Sequence, residues 1–117
     1  NAVIFPLSKS PAWWAMPLEK RKQYFDKHPE TFGSENQGHN EVGFMYINKI
    51  FRKLYHSRYI DSQQDFMTEF EYSDNDVDTF KALLSGLQDI KKNKEWEFVK
   101  EFPIFWGKRK ASIEEIL

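Results

Sequence analysis

The sequence predicts an α+β domain, an antiparallel sheet with helices on one face. Three observations lead there. Residues 2–9, AVIFPLSK, read as an apolar strand. Residues 50–60, IFRKLYHSRYI, and residues 65–73, DFMTEFEYS, are two further strands joined by DSQQ, the layout of a hairpin. Val77, Phe80, Leu83, Leu84, Leu87 and Ile90 recur with helical period, the clearest such pattern in the chain.

The elements follow in order. The first strand runs from Ala2 to Lys9. Ser10-Pro11 then marks a helix start, with Ser as N-cap and Pro at the first helical position. PAWWAMPLEKRKQYFDKH continues as helix with a break at Pro17, and places Leu18, Arg21, Phe25 and the Lys22 stem on one face. HPETFGSENQG is a polar loop with Pro and two Gly. HNEVGFMYINK, residues 39–49, is a short helix. In the hairpin, Phe66, Thr68, Phe70 and Tyr72 share one face, the inner one, and Met67, Glu69 and Glu71 share the other. Arg52, Leu54, His56 and Arg58 lie on one side of the partner strand. Asp74 and Asp76 can cap the next helix. EWEFVKEFPIFW returns as a strand, and ASIEEIL is a short amphipathic tail.

The resulting order, β-α-(α)-β-β-α-β, is the split βαβ or ferredoxin-like arrangement. A single sheet of this kind leaves a face uncovered, which calls for a ligand, a second domain or another subunit. The 117 residues fit one domain, 1–117, able to bury roughly two-thirds of its unfolded surface. Net charge is −1, which argues against general nucleic-acid binding. The basic runs FRKLYHSR and GKRK read as a solvated strand and tail. There is no cysteine, which excludes disulfides, thiolate nucleophiles, zinc-thiolate sites and covalent haem attachment through C-x-x-C-H. No apolar run approaches the eighteen residues of a membrane span and no signal peptide is visible, so compartment stays open. The chain begins with Asn rather than Met, as a processed product or a fragment does.

Candidate chemistry is sparse. No G-x-S-x-G elbow, H-E-x-x-H pair or phosphate loop occurs. His28, before a Pro, reads as a capping or surface residue, and His56, mid-strand, as structural. His39 stacks with Gly43 and Tyr46 on one helical face, and a Gly inside a helix costs about 1 kcal/mol relative to Ala. Close approach of a flat ligand to the backbone is one compensation; a lone structural histidine is the plainer reading. Trp13 and Trp14 are core residues or, through their indole N–H groups, donors to a ligand carboxylate. Aromatics form 17% of the chain, which suits either a filled core or a pocket for a large flat molecule.

Taken together, Trp13-Trp14, HNEVGFMYINKIFRKLYHSR, DFMTEFEY, FKALLSGL and KEWEFV, in this order and spacing, resemble the chlorite dismutase family, above all its short-chain branch. The resemblance runs from about the first strand to residue 105. It implies a haem b-binding ferredoxin-like domain of the dimeric α+β barrel type. It places the iron ligand on His39 and the distal, catalytic arginine on Arg52, thirteen residues later. It puts the carboxylate that bonds the ligand imidazole on Glu95, the distal pocket on Leu54, Thr68 and Phe70, and the haem-edge tryptophans on Trp13 and Trp14. The implied activity converts chlorite to chloride and dioxygen, with Arg52 holding the hypochlorite fragment. The implied assembly is a homodimer or a larger ring. Family subunits carry two such domains in tandem, and this chain corresponds to the second. Its loop before His39 is longer than the family's. Alternatives are a relative that binds haem or coprohaem without acting on chlorite, and a haem-free barrel serving in binding or interaction.

Overall fold

The structure, a computed structural model, describes residues 1–58 and 63–108. Tyr59 and Ile60 of the expected strand, part of the DSQQ turn and the ASIEEIL tail lie outside the described residues.

Strand β1, Ala2–Lys9, is the sheet's central strand. It pairs antiparallel with β3, Phe66–Glu71, which pairs with β2, Phe51–His56, at the edge. On its other side β1 pairs with two short strands, β4 (Val99–Glu101) and β5 (Phe105–Gly107). This is the ferredoxin-like order. Register puts Arg52, Phe70 and Val3 in one row across the sheet, Leu54, Thr68 and Phe5 in the next, and His56, Phe66 and Leu7 in the third. Because side chains alternate, these nine and Lys9 point to one face. The expected inner set is thus the observed one.

The helix α5, Val77–Gln88, covers one half of that face. Its Phe80, Leu83 and Leu87 are buried against Val3, Phe5 and Phe70. The Phe80 ring stacks on Tyr72 at 4.5 Å and tilts against Phe70 at 5.2 Å. Helix α4, Gly38–Phe44, lies against α5 through Val42, and a Cβ at Gly86 would come within 3.0 Å of Val42 Cγ1. Glycine there sets how closely the two helices approach.

Five expectations need correction. The long N-terminal helix is two short ones, α1 (Pro11–Ala15) and α2 (Leu18–Lys22), because Pro17 has no N–H for the ladder and pushes Met16 into extended backbone. The polar loop contains one helical turn, α3, Pro29–Phe32. The helix read over 39–49 ends at Phe44, so Tyr46 does not share a helical face with His39. The terminal strand read over EWEFVKEFPIFW begins as a 3-10 turn, Lys94–Phe98, and only then gives β4 and β5. Buried Asn93 ties that turn to the end of α5, its Nδ2 donating to the Leu87 carbonyl. Asp74 and Asp76 form a 3-10 turn ahead of α5 without a side-chain cap; Asp76 instead accepts from Ser73 Oγ.

Candidate functional site

The other half of the inner face is not covered by α5. Helices α1 and α2 stand over it and enclose a cavity of about 380 Å³ between themselves and the sheet. Its walls are mostly apolar and aromatic, with Phe5, Leu7, Leu54, Phe66 and Phe70 from the strands and Leu84 and Leu87 from α5. All eight residues singled out in the sequence line this one cavity: Trp13, Trp14, His39, Arg52, Leu54, Thr68, Phe70 and Glu95.

His39 is held from both ends. Gly38 adopts φ +80°, and a Cβ there would lie 2.5 Å from the Asp26 carbonyl oxygen, so the chain can enter α4 only through glycine. The first amides of α4 then find partners outside the helix: His39 N–H donates to the Tyr24 carbonyl and Asn40 N–H to that of Phe25. These bonds anchor the long preceding loop and fix where the imidazole begins. The ring stands edge-on to Phe25 at 5.4 Å.

The imidazole connects two charged groups. Its Nδ1 lies 2.7 Å from Glu95 Oε2 and its Nε2 lies 3.0 Å from an Arg52 NH group. Arginine is a donor only and an ionised carboxylate an acceptor only. These partners match an imidazole that donates from Nδ1 to Glu95 and accepts at Nε2 from Arg52. The unprotonated nitrogen is the one turned toward the cavity side chain.

Lys9 completes the arrangement. Its Nζ donates to Glu95 Oε1, so both carboxylate oxygens are engaged. Both residues are buried. Burial alone pushes the Glu95 carboxyl up; its hydrogen bond with and attraction to His39, then the Lys9 ammonium, outweigh it and hold it down at about 2. Burial pulls Lys9 below its ordinary value, against the attraction of Glu95. Burial likewise lowers Arg52, again opposed by Glu95. Sequence reading missed Lys9. The signal was present: Val3, Phe5, Leu7 and Lys9 are in phase, so a lysine occupies the fourth inward position of an apolar strand.

The two tryptophans differ. Trp13 is buried, and the Lys9 ammonium sits over its ring at 3.6 Å. Trp14 stacks with Phe66 and gives its indole N–H to Asp65 Oδ2 at 3.3 Å. The carboxylate that Trp14 grips is therefore the chain's own. Asp65 also accepts the Lys9 backbone N–H at 2.8 Å, which locks the end of β1 to the start of β3. Gly43 carries less than the sequence implied, since a Cβ there would meet the nearest Arg52 atom at an ordinary 4.0 Å. His28 pairs with Glu30 at 3.1 Å, a surface contact, and His56 packs edge-on against Phe66 at the cavity wall.

No family model matches the sequence. The chlorite dismutase of Ideonella dechloratans is 30% identical over 106 residues, which is 91% of this chain and 30% of that protein. Among solved structures, a dimeric chlorite dismutase from Nitrobacter winogradskyi superposes with a TM-score of 0.70 at 31% identity, covering 86% of this chain and 52% of that one. A single-site variant of the chlorite dismutase of Candidatus Nitrospira defluvii superposes with a TM-score of 0.66 at 28% identity, covering 86% of this chain and 35% of that one. The chain thus spans between 30% and 52% of the length of these relatives. Fold, element order and sequence agree, and the chain belongs to the chlorite dismutase family.

Proposed function

We propose that this chain binds haem b in the cavity between sheet and α1–α2, with His39 as the iron ligand, and acts as a chlorite dismutase-type oxidoreductase. The observation that carries the reading is the imidazole fixed between Glu95, 2.7 Å from Nδ1, and the cavity-lining Arg52, 3.0 Å from Nε2. The surroundings fit the group. A mostly apolar space of about 380 Å³ lies in the range of small-molecule and cofactor sites, and a neutral imidazole is the form that ligates iron. Bound haem would supply the oxygen-transfer chemistry.

The protein's part is positional and electrostatic. Glu95, accepting from Nδ1, makes the imidazole a stronger electron donor at Nε2. Lys9 compensates the buried carboxylate and holds it in place. Arg52 is a permanent cation whose donors suit a small oxyanion such as chlorite or hypochlorite. Leu54, Thr68 and Phe70 form the wall beside it and limit water.

One consequence follows from Nε2 having a single lone pair. Arg52 donates to the same atom that iron would bind, so ligation and the Arg52–His39 hydrogen bond exclude one another. Haem capture must turn Arg52 away, which is also what frees it to meet an anion. Homo-oligomer formation belongs to the same reading: Phe44, Met45 and Ile47 are each about two-thirds exposed, as surfaces covered by another subunit are.

Titration with haem, followed through the Soret band, tests the assignment. His39→Ala should weaken haem binding at least tenfold more than His28→Ala or His56→Ala. Equal losses from all three would remove His39 as the ligand.

A further inference from the structure

The cavity's charge runs against the chain's. Five cationic side chains, Lys9, Arg21, Lys22, Arg52 and Arg58, line it against one carboxylate, Glu95, while the whole chain carries −1. Two of the five have partners inside: Lys9 bonds Glu95 and Arg52 bonds His39. Of the remaining three, Arg21 and Arg58 lie around Trp14, at the end away from Arg52, and Lys22 adjoins Arg21. Strand β2 carries the chain away from Arg52 as far as His56, roughly 13 Å, and Arg58 follows two residues later in a turn.

Trp14 organises that end. The Arg58 guanidinium lies 3.7 Å from its ring centroid and the Arg21 guanidinium 5.5 Å. Lys22 follows Arg21 on α2 and also lines the cavity. One acid is near, since Arg58 Nε approaches Asp65 Oδ1 at 3.9 Å. Asp65 is already engaged by the Lys9 amide and the Trp14 indole. Arg21 Nε is buried and has no hydrogen-bond partner among the described residues. A buried donor left unpaired costs about 1–3 kcal/mol, more when charged, so a site shaped this way favours an acceptor that meets it.

We propose that Arg21, Lys22 and Arg58, mounted on Trp14, form a carboxylate-binding rim that takes the acidic edge of a flat apolar ligand. The inference rests on the haem reading and deepens it: the rim would receive the two ligand carboxylates, at the opposite end of the cavity from Arg52. It reassigns the role that the sequence gave to the indole N–H groups. Trp14 acts as the platform for two guanidinium groups, and these meet the anion.

The test compares two pairs of ligands on wild-type protein and on Arg21→Gln/Arg58→Gln. One pair is haem and haem dimethyl ester, which lacks the free carboxylates. The other is 1-anilinonaphthalene-8-sulfonate and the uncharged N-phenyl-1-naphthylamine, which report on the rim without iron. Wild type should hold the charged member of each pair roughly tenfold tighter, and the double variant should nearly abolish that preference. The neutral members should bind both proteins alike, which also establishes that the variant is folded. Arg58→Gln alone, a change at an exposed side chain, should give a smaller loss of the same kind. A charge preference that is equal in wild type and variant, or absent in wild type, overturns the rim. A rim-dependent preference within the naphthalene pair, with neither haem form bound, supports the rim and overturns the haem reading.

Discussion

At the residue scale, the site is a short relay of four side chains: Lys9, Glu95, His39 and Arg52. Each has a separable consequence. Glu95→Gln leaves the Lys9 ammonium buried without its counter-charge, which should destabilise the fold by about 3–5 kcal/mol at neutral pH. Its pH dependence is equally specific. Glu95 is held down at about 2 in the folded chain against an ordinary 4.5, so its contribution is complete above about pH 4.5 and is lost as pH falls toward 2. Urea denaturation across that window should show stability falling with acid in wild type and a flatter profile in the Gln variant. For Arg52→Ala two outcomes are expected together. Haem should bind at least as well, because Nε2 is no longer occupied by a donor, and the loaded protein should inactivate faster in chlorite if Arg52 has the proposed role of holding the hypochlorite fragment. Unchanged turnover number and lifetime in chlorite would remove Arg52 from the reaction.

At the scale of elements, β1 and α5 were legible for plain reasons. Their apolar residues keep a strict period over enough length to fix both type and orientation, and the inner face of β3 followed from the same alternation. The misreadings arose where a tertiary contact overrides a local pattern. EWEFV alternates like a strand, yet Glu95 must turn inward to meet Lys9 and His39, and Asn93 must bond the Leu87 carbonyl. A 3-10 turn satisfies both and a strand does not. The start of α4 is set from outside, by carbonyls of Tyr24 and Phe25, and past Phe44 the chain passes into tighter turns, Tyr46 N–H on the Gly43 carbonyl and Ile47 N–H on that of Phe44. That dependence gives a prediction: Gly38→Ala forces a Cβ against the Asp26 carbonyl at a positive φ, so it should lower the melting temperature and weaken haem capture by displacing His39. Phe80→Ala, in the packed half of the sheet face, should cost about 3–5 kcal/mol in stability and leave the affinity of the remaining folded protein for haem nearly unchanged.

At the scale of the molecule, the sheet divides one face between two tasks. Helix α5 packs the half that supplies stability, and α1–α2 bridge the half that holds the cavity. The residues quoted from the sequence converge on that cavity because β2 and β3 bring Arg52, Leu54, Thr68 and Phe70 into register on the inner face, while α1, α4 and the 3-10 turn present Trp13, Trp14, His39 and Glu95 to it, so a His and an Arg thirteen residues apart in the chain meet at 3.0 Å. What sequence reading did not reach were groups whose roles depend on a partner far along the chain: Lys9 on Glu95, Asp65 on Trp14, Arg21 and Arg58 around the same ring. Among the described residues no helix is long and apolar enough to cross a membrane. The measurement that tests the central claim most directly is oxygen release, followed with an electrode after chlorite is added to haem-loaded protein. The expected result is rapid oxygen evolution far above that of free haem, and strongly reduced in His39→Ala. A clean Soret band with no more oxygen than free haem releases would contradict it.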